Sequence, residues 1–187
     1  MTTSRRGGAD DPRTIIKDAF VRLYEQTPLK GISGEGLARE AGYSRAAFYR
    51  YYHNVDEVLS EVEDDMLPTA ESSFITEHAA IITPSLFVEL YLEYFARTED
   101  RLRVVLARDE GRLYHKLAET ITPSFRALAQ LKLADDVSAD EVARLTDYLV
   151  DTKMNQLRGW AANPTEPLAD HMRLPLQTVE RSFWGEG

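Results

Sequence analysis

The chain has 187 residues, 43% of them hydrophobic, which is enough for one large domain or two small ones with a proper core. It contains no cysteine, so disulfides and thiolate zinc sites are excluded, and its 28% charged residues and net charge of −9 suit a folded, soluble protein. The opening MTTSRRGGADDPRT lacks the apolar core of a signal peptide, and no apolar run approaches the ~20 residues of a membrane span, so the expected location is cytoplasmic.

Residues 1–11 read as a flexible arm. Asp11 caps a first helix with Pro12 at its first position. Ile15, Ile16, Ala19, Phe20, Leu23 and Tyr24 recur as one apolar helical stripe, which TPLKG ends. Ser33 caps a short helix, GEGLAREA, that stops at Gly42. Ser44 caps a second, RAAFYRYY, and Asn54 a longer third, VDEVLSEVEDDML. Small Ala38, permissive Gly42 and inward Phe48 stand at the spacing of a helix-turn-helix. Beyond residue 60 the pattern stays helical. TPSLFVELYLEYFART is followed by RLRVVLARDEG, and then by RLYHKLAETITPSFRALAQLKL, interrupted at Pro123. SADEVARLTDYLVDTKMNQLRGWAAN opens on a Ser138/Glu141 capping box. PTEPLADHMRLPLQTVERSFW comes last and is expected to kink or split at Pro175. The fold class is therefore all-α.

Charge is unevenly spread. Residues 1–53 carry nine Lys/Arg against six Asp/Glu, a balance of +3, while the remaining 134 carry 13 against 25, a balance of −12. Such asymmetry hints at a nucleic-acid-binding head. On a helix over SRAAFYRYY, Phe48 and Tyr52 point inward while Arg45, Ala46, Tyr49 and Arg50 share the opposite face. That face suits a DNA major groove. Ala46 and Ala47 permit close approach and contact with a thymine methyl, arginine bonds guanine bidentately, and Tyr49 donates to a phosphate. The helix starts at Ser33 and Ser44 offer backbone N–H groups to phosphate, His53 adds a further backbone contact, and Glu35 accepts from a cytosine amino group or repels phosphate. Tyr51 and Tyr52 read as packing residues. The acidic run EVEDD (61–65) reads as a solvated helix face as readily as a cation site, and no metal is assigned.

Residues 12–59 resemble the N-terminal domain of the TetR family of bacterial one-component transcriptional repressors. The matching residues are Ile16, Ala19 and Phe20, then GLAREAGYSRAAFYRYY and NVDEVL, which follow the family's motif almost position by position. Glu35 departs from it, standing where a basic residue is usual. So do Gly34 and Gly36, where bulkier or polar groups are usual, and Val55, where Lys is common. The resemblance implies a helix-turn-helix DNA-binding domain (12–59) followed by a helical ligand-binding and dimerisation domain (60–187). It also implies a homodimer on a palindromic operator, released by a small-molecule inducer. The two recognition helices would stand about 34–36 Å apart, and ligand would tilt the helix starting near Asn54 and spread them.

Two stripes are candidate dimer surfaces, Val142, Leu145, Leu149 and Leu157 on one helix and Leu168, Met172, Leu176, Val179 and Phe183 on the next, which would form a four-helix bundle across the dimer. Burial within one subunit explains the same spacing. Phe74, Phe87, Tyr91, Tyr94, Phe95, Tyr114 and Phe125, with His78, Arg108 and His115, would suit an amphipathic cavity, although aromatic stripes also build plain core.

Catalysis lacks the residues it needs. The histidines (53, 78, 115, 171) are scattered with no Glu-x-x-His pair, there is no nucleophile motif, and Gly34-x-Gly36 follows no strand, so it is no dinucleotide fingerprint. No cofactor is expected. The competing reading is a helical interaction or sensor protein whose DNA binding is weak or lost; an activator is also compatible with the sequence.

Overall fold

A computed structural model describes residues 11–133 and 137–184. The expected arm over 1–11 lies outside the described residues except for Asp11. Every regular element among the described residues is helical, and the chain divides into two compact units, Met1–Asp65 and Met66–Gly187.

The first unit holds α1 (Pro12–Gln26), a 3₁₀ turn (Leu29–Gly31), α2 (Gly34–Glu40), α3 (Arg45–Phe48) and α4 (Val55–Asp65). The Asp11 side chain accepts from the Arg13 N–H, starting α1 ahead of Pro12. Ile16, Ala19 and Phe20 of α1 are fully buried with Leu37, Phe48, Val58 and Val62. They form the small core on which α1 packs against α2 and α4. Between α2 and α3 the chain reverses at Gly42, whose φ of +76° lies in the left-handed region that an L side chain avoids. The helix expected over 45–52 is one turn long. At Arg50 and Tyr51 the backbone bonds tighten to i→i+3 (Arg50 N–H to Ala47 C=O, Tyr51 N–H to Phe48 C=O), and Tyr52 N–H closes the segment on the same Phe48 C=O. Tyr52 is nevertheless buried, held by the Glu61 carboxylate and by the Arg13 guanidinium 4.8 Å above its ring. The acidic run is accordingly not simply solvated: Glu61 pairs with Arg13 at 2.8 Å, and Asp65 pairs with Lys17.

The second unit comprises α5 (Thr69–His78), α6 (Pro84–Leu106), α7 (Arg112–Lys132), α8 (Ala139–Ala162) and α9 (Leu168–Trp184). α6 packs on α9, α7 on α8 and α5 on α7. Two expected helices, TPSLFVELYLEYFART and RLRVVLARDEG, merge into the single α6, because no Gly or Pro interrupts the chain before Leu106. α7 starts where the Asp109 carboxylate accepts the N–H groups of Leu113 and Tyr114, each at 3.0 Å. Pro123 and Pro175 do not split α7 and α9. The capping box of α8 is present in both directions, from Glu141 N–H to Ser138 Oγ (3.3 Å) and from Ser138 N–H to the Glu141 carboxylate (2.9 Å). The core is an aromatic cluster in which Phe87, Tyr91 and Phe125 meet at centroid distances of 5.3–6.1 Å.

Candidate nucleic-acid interface and ligand cavity

In the first unit, two serine caps frame the candidate interface. Ser33 Oγ accepts from Gly36 N–H at 3.0 Å and Ser44 Oγ from Ala47 N–H at 3.1 Å. Of the residues assigned to DNA, Ser33, Glu35, Ser44, Arg45, Ala46, Tyr49, Arg50 and His53 are exposed. Arg45, Ala46, Tyr49 and Arg50 sit on one turn of backbone, with the Arg45 guanidinium 5.7 Å from the Tyr49 ring centre. The edge of the Phe48 ring meets Tyr49 at 5.3 Å and braces it from below.

One assignment in this group is corrected. Ala47 is only 9% exposed, because it lies on the core side of the turn beside Phe48, so it is a packing residue. The backbone N–H of His53 donates to Glu57 Oε2 at 2.7 Å, while its ring remains exposed. That hydrogen bond, with the His53 ring, holds the Glu57 carboxyl below its usual range. Gly34 has a reason invisible in the sequence. A Cβ there would come within 3.0 Å of Tyr49 Oη and 3.2 Å of the buried Phe48 ring, so glycine makes the seat for the exposed tyrosine.

In the second unit, a small cavity of about 20 Å³ lies among α6, α7, α8 and α9. Of the ten residues assigned to ligand, Tyr91, Tyr94, Phe95 and Phe125 line it. The other six do not. Phe87 is wholly buried against Tyr91 and Phe125. Phe74 is exposed and stacks on His78 at 4.5 Å. Tyr114 donates to Asp151 at 3.2 Å beneath the Arg158 guanidinium, with His115 exposed beside it. Arg108 sits in the turn between α6 and α7. Sequence spacing marks aromatic residues but not which side of a helix faces a void.

Sequence reasoning missed the most unusual lining residue, Lys153. It is 4% exposed on the inner stripe of α8 between Val150 and Met154. Its ammonium donates to Gln156 Oε1 at 3.3 Å, and burial pushes its pKa down. A lysine at an apolar position of a helical stripe was the available signal. The Tyr91 and Tyr94 phenols are raised by burial and therefore stay neutral; they bond Ser124 Oγ (3.1 Å) and the Met66 carbonyl (2.9 Å).

Eight of the nine residues assigned to a dimer surface are also corrected; the ninth, Leu145, keeps an open side. Val142, Leu149, Leu157, Leu168, Met172, Leu176, Val179 and Phe183 are buried inside a single chain, and Leu145 is half-buried. Their stripes close the chain's own core, because α8 and α9 pack on α7, on α6 and on each other. The exposed apolar side chains of these helices are Tyr148 (67%) and Leu174 (65%).

A serine-capped helix-turn-helix with an outward Arg/Ala/Tyr/Arg turn, among described residues whose regular elements are all helical, defines an all-α helix-turn-helix protein. No established family profile matches the chain. A 71-residue stretch is 35% identical to the HTH-type transcriptional regulator EthR of Mycolicibacterium smegmatis, and it covers 38% of this chain and 33% of that protein's length. The fold is shared with a TetR transcriptional regulator from Streptococcus agalactiae (18% identity, TM-score 0.62, 91% of this chain, 94% of that one). It is shared also with the dihydroxyacetone kinase operon activator DhaS (15%, 0.64, 94% and 97%). NalD of Pseudomonas aeruginosa, the secondary repressor of the MexAB-OprM multidrug efflux pump, is similar as well (17%, 0.67, 96% and 100%). The chain thus has the fold of TetR regulators. No helix among the described residues is long and apolar enough to cross a membrane.

Proposed function

We propose that this chain is a ligand-responsive transcriptional regulator, acting in the cytoplasm as a homodimeric repressor on a palindromic operator and released by a small molecule. The observation that carries the reading is the Arg45–Arg50 turn. It exposes two guanidiniums, a phenol and a methyl-sized residue together, supported from below by buried Phe48. Buried arginine and tyrosine would have pointed to a packing role; exposed, they have the donors that base edges and phosphates take.

One head makes few contacts, so affinity calls for two. The face of α8 that remains open for a second copy carries Leu145, Tyr148, Thr152, Asn155 and Gly159, spaced three and four apart. A Cβ at Gly159 would meet nothing within 4 Å, which leaves room for a partner helix to approach closely. Leu174 extends the apolar surface on α9.

A drug-sized ligand needs a cavity of several hundred Å³, well beyond the present one, so ligand entry requires the core to open. That opening is the step that would couple ligand to the spacing of the two heads, with a coupling of ~1–3 kcal/mol.

The test is a gel shift on the DNA upstream of the chain's own gene, comparing the unaltered chain with Arg45→Ala and Tyr49→Ala. Each substitution is expected to weaken binding by ~1–3 kcal/mol. Binding unaffected by both would favour an interaction or sensor role without DNA recognition. A reporter fused to the same DNA reads whether the chain represses or, as the name of DhaS says of that protein, activates.

A further inference from the structure

The cavity is lined almost entirely by hydrocarbon, with three polar side chains on its walls: Tyr91, Tyr94 and Lys153. The two phenols have protein partners already, Ser124 and the Met66 carbonyl. Lys153 is different. An ammonium has three donors, and among the described residues its one partner is the neutral amide of Gln156. A lysine that merely snorkels would leave its head in water; this residue is 4% exposed, so it is held inside. Buried amines are ordinarily paired with a carboxylate, because desolvating an uncompensated charge is costly. The single charge on these walls is therefore positive and lacks a counter-charge of its own.

The walls can yield. Met154 of α8 and Met172 of α9 both line the void and are unbranched and adaptable. Pro123, between the lining residues Ile121 and Phe125, leaves the Glu119 carbonyl of α7 without its helical N–H partner. The Thr120 and Thr122 hydroxyls bond back to the carbonyls of Lys116 and Ala118 in the same stretch, a pattern that favours bending.

The geometry points to an amphipathic carboxylate as the effector of this chain, its apolar body in the aromatic cavity and its carboxylate on the Lys153 ammonium. This rests on reading the second unit as a ligand-binding body, and it adds the sign of the ligand's charge and the residue that selects it.

The test is isothermal titration calorimetry on the full chain, without DNA. Two carboxylates serve as probes, octanoate for an aliphatic body and 1-naphthoate for an aromatic one. Each is compared with its neutral amide, and octanoate also with octylamine. At least one carboxylate is expected to bind, with its amide roughly tenfold to a hundredfold weaker and octylamine not binding. Lys153→Met is expected to abolish the preference for carboxylate over amide, and Lys153→Arg to keep it. Because Met fills similar space without a charge, Lys153→Met should melt no lower than the unaltered chain, which separates lost selectivity from lost folding. Equal binding of carboxylate and amide, a preference surviving in Lys153→Met, or no binding of either carboxylate overturns the inference. A gel shift run in parallel judges the regulator reading separately: amides that bind and release DNA as well as carboxylates would retain that reading while removing this one.

Discussion

The phenol of Tyr49 occupies the space that a side chain at residue 34 would need: a Cβ built on Gly34 comes within 3.0 Å of Tyr49 Oη and 3.2 Å of Phe48 Cε1. The glycine at the start of α2 and the tyrosine that closes α3 are thus one device, in which the first helix gives up propensity so that the second can lay an aromatic ring across it. The ring in turn stands beside the Arg45 guanidinium.

Gly34→Ala follows from that contact. Alanine is the better helix former by up to ~1 kcal/mol, while Tyr49, nearly half exposed, can swing away at small cost and Phe48 cannot. Stability should therefore change little, by no more than ~1 kcal/mol in a thermal melt. Affinity for upstream DNA should fall by about the worth of one hydrogen bond, ~1 kcal/mol. Unchanged affinity in the gel shift would detach Tyr49 from recognition.

The open face of α8 makes a second prediction. Tyr148→Arg combined with Leu174→Arg places two charges on surface that is already solvated in one chain, so the fold should persist by circular dichroism. Sedimentation should show a monomer in place of a dimer. By contrast, Leu157→Ala, inside the core, should cost about 2–5 kcal/mol in stability whatever the association state. A double arginine variant that still sediments as a dimer would move the interface elsewhere.

Ser138→Ala removes the hydroxyl's two hydrogen bonds, from Glu141 N–H and to the Glu141 carboxylate, and leaves only the Ser138 N–H arm of the α8 capping box. A loss of ~1 kcal/mol is expected, read as a lowered denaturant midpoint with unchanged slope. The head should be unaffected, so DNA affinity measured well below the melting temperature should hold.

Alkaline pH supplies a fourth check. Burial raises the Tyr91 and Tyr94 hydroxyls above their ordinary value of 10.0. The folded chain then keeps protons that the unfolded chain has released. This contribution is fully present below pH ~10 and is lost as pH rises above it. Phenolate absorbance from the buried tyrosines should therefore appear together with loss of helical signal, after the exposed tyrosines have titrated. If all nine tyrosines ionise near pH 10 with helicity intact, the buried assignment fails.

Local chemistry made the head legible in the sequence. Asp11, Ser33, Ser44 and Asn54 act within three residues of themselves, Gly42 answers to its own φ, and Phe48 needs only the neighbouring turn to find its core. The capping box at Ser138 was legible for the same reason. Other features depended on partners distant in the chain. Spacing showed that Leu149, Leu157 and Met172 are buried, but a stripe records only that water is excluded, and both the chain's own helices and a second subunit exclude it. Aromatic content suggested a cavity, yet only the packing of α6 to α9 separated Tyr91 and Phe125 on its wall from Phe74 at the surface. Lys153 looked like one more charged residue of a long helix until the fold enclosed it, because the cost of a charge depends on what surrounds it and not on its place in the chain.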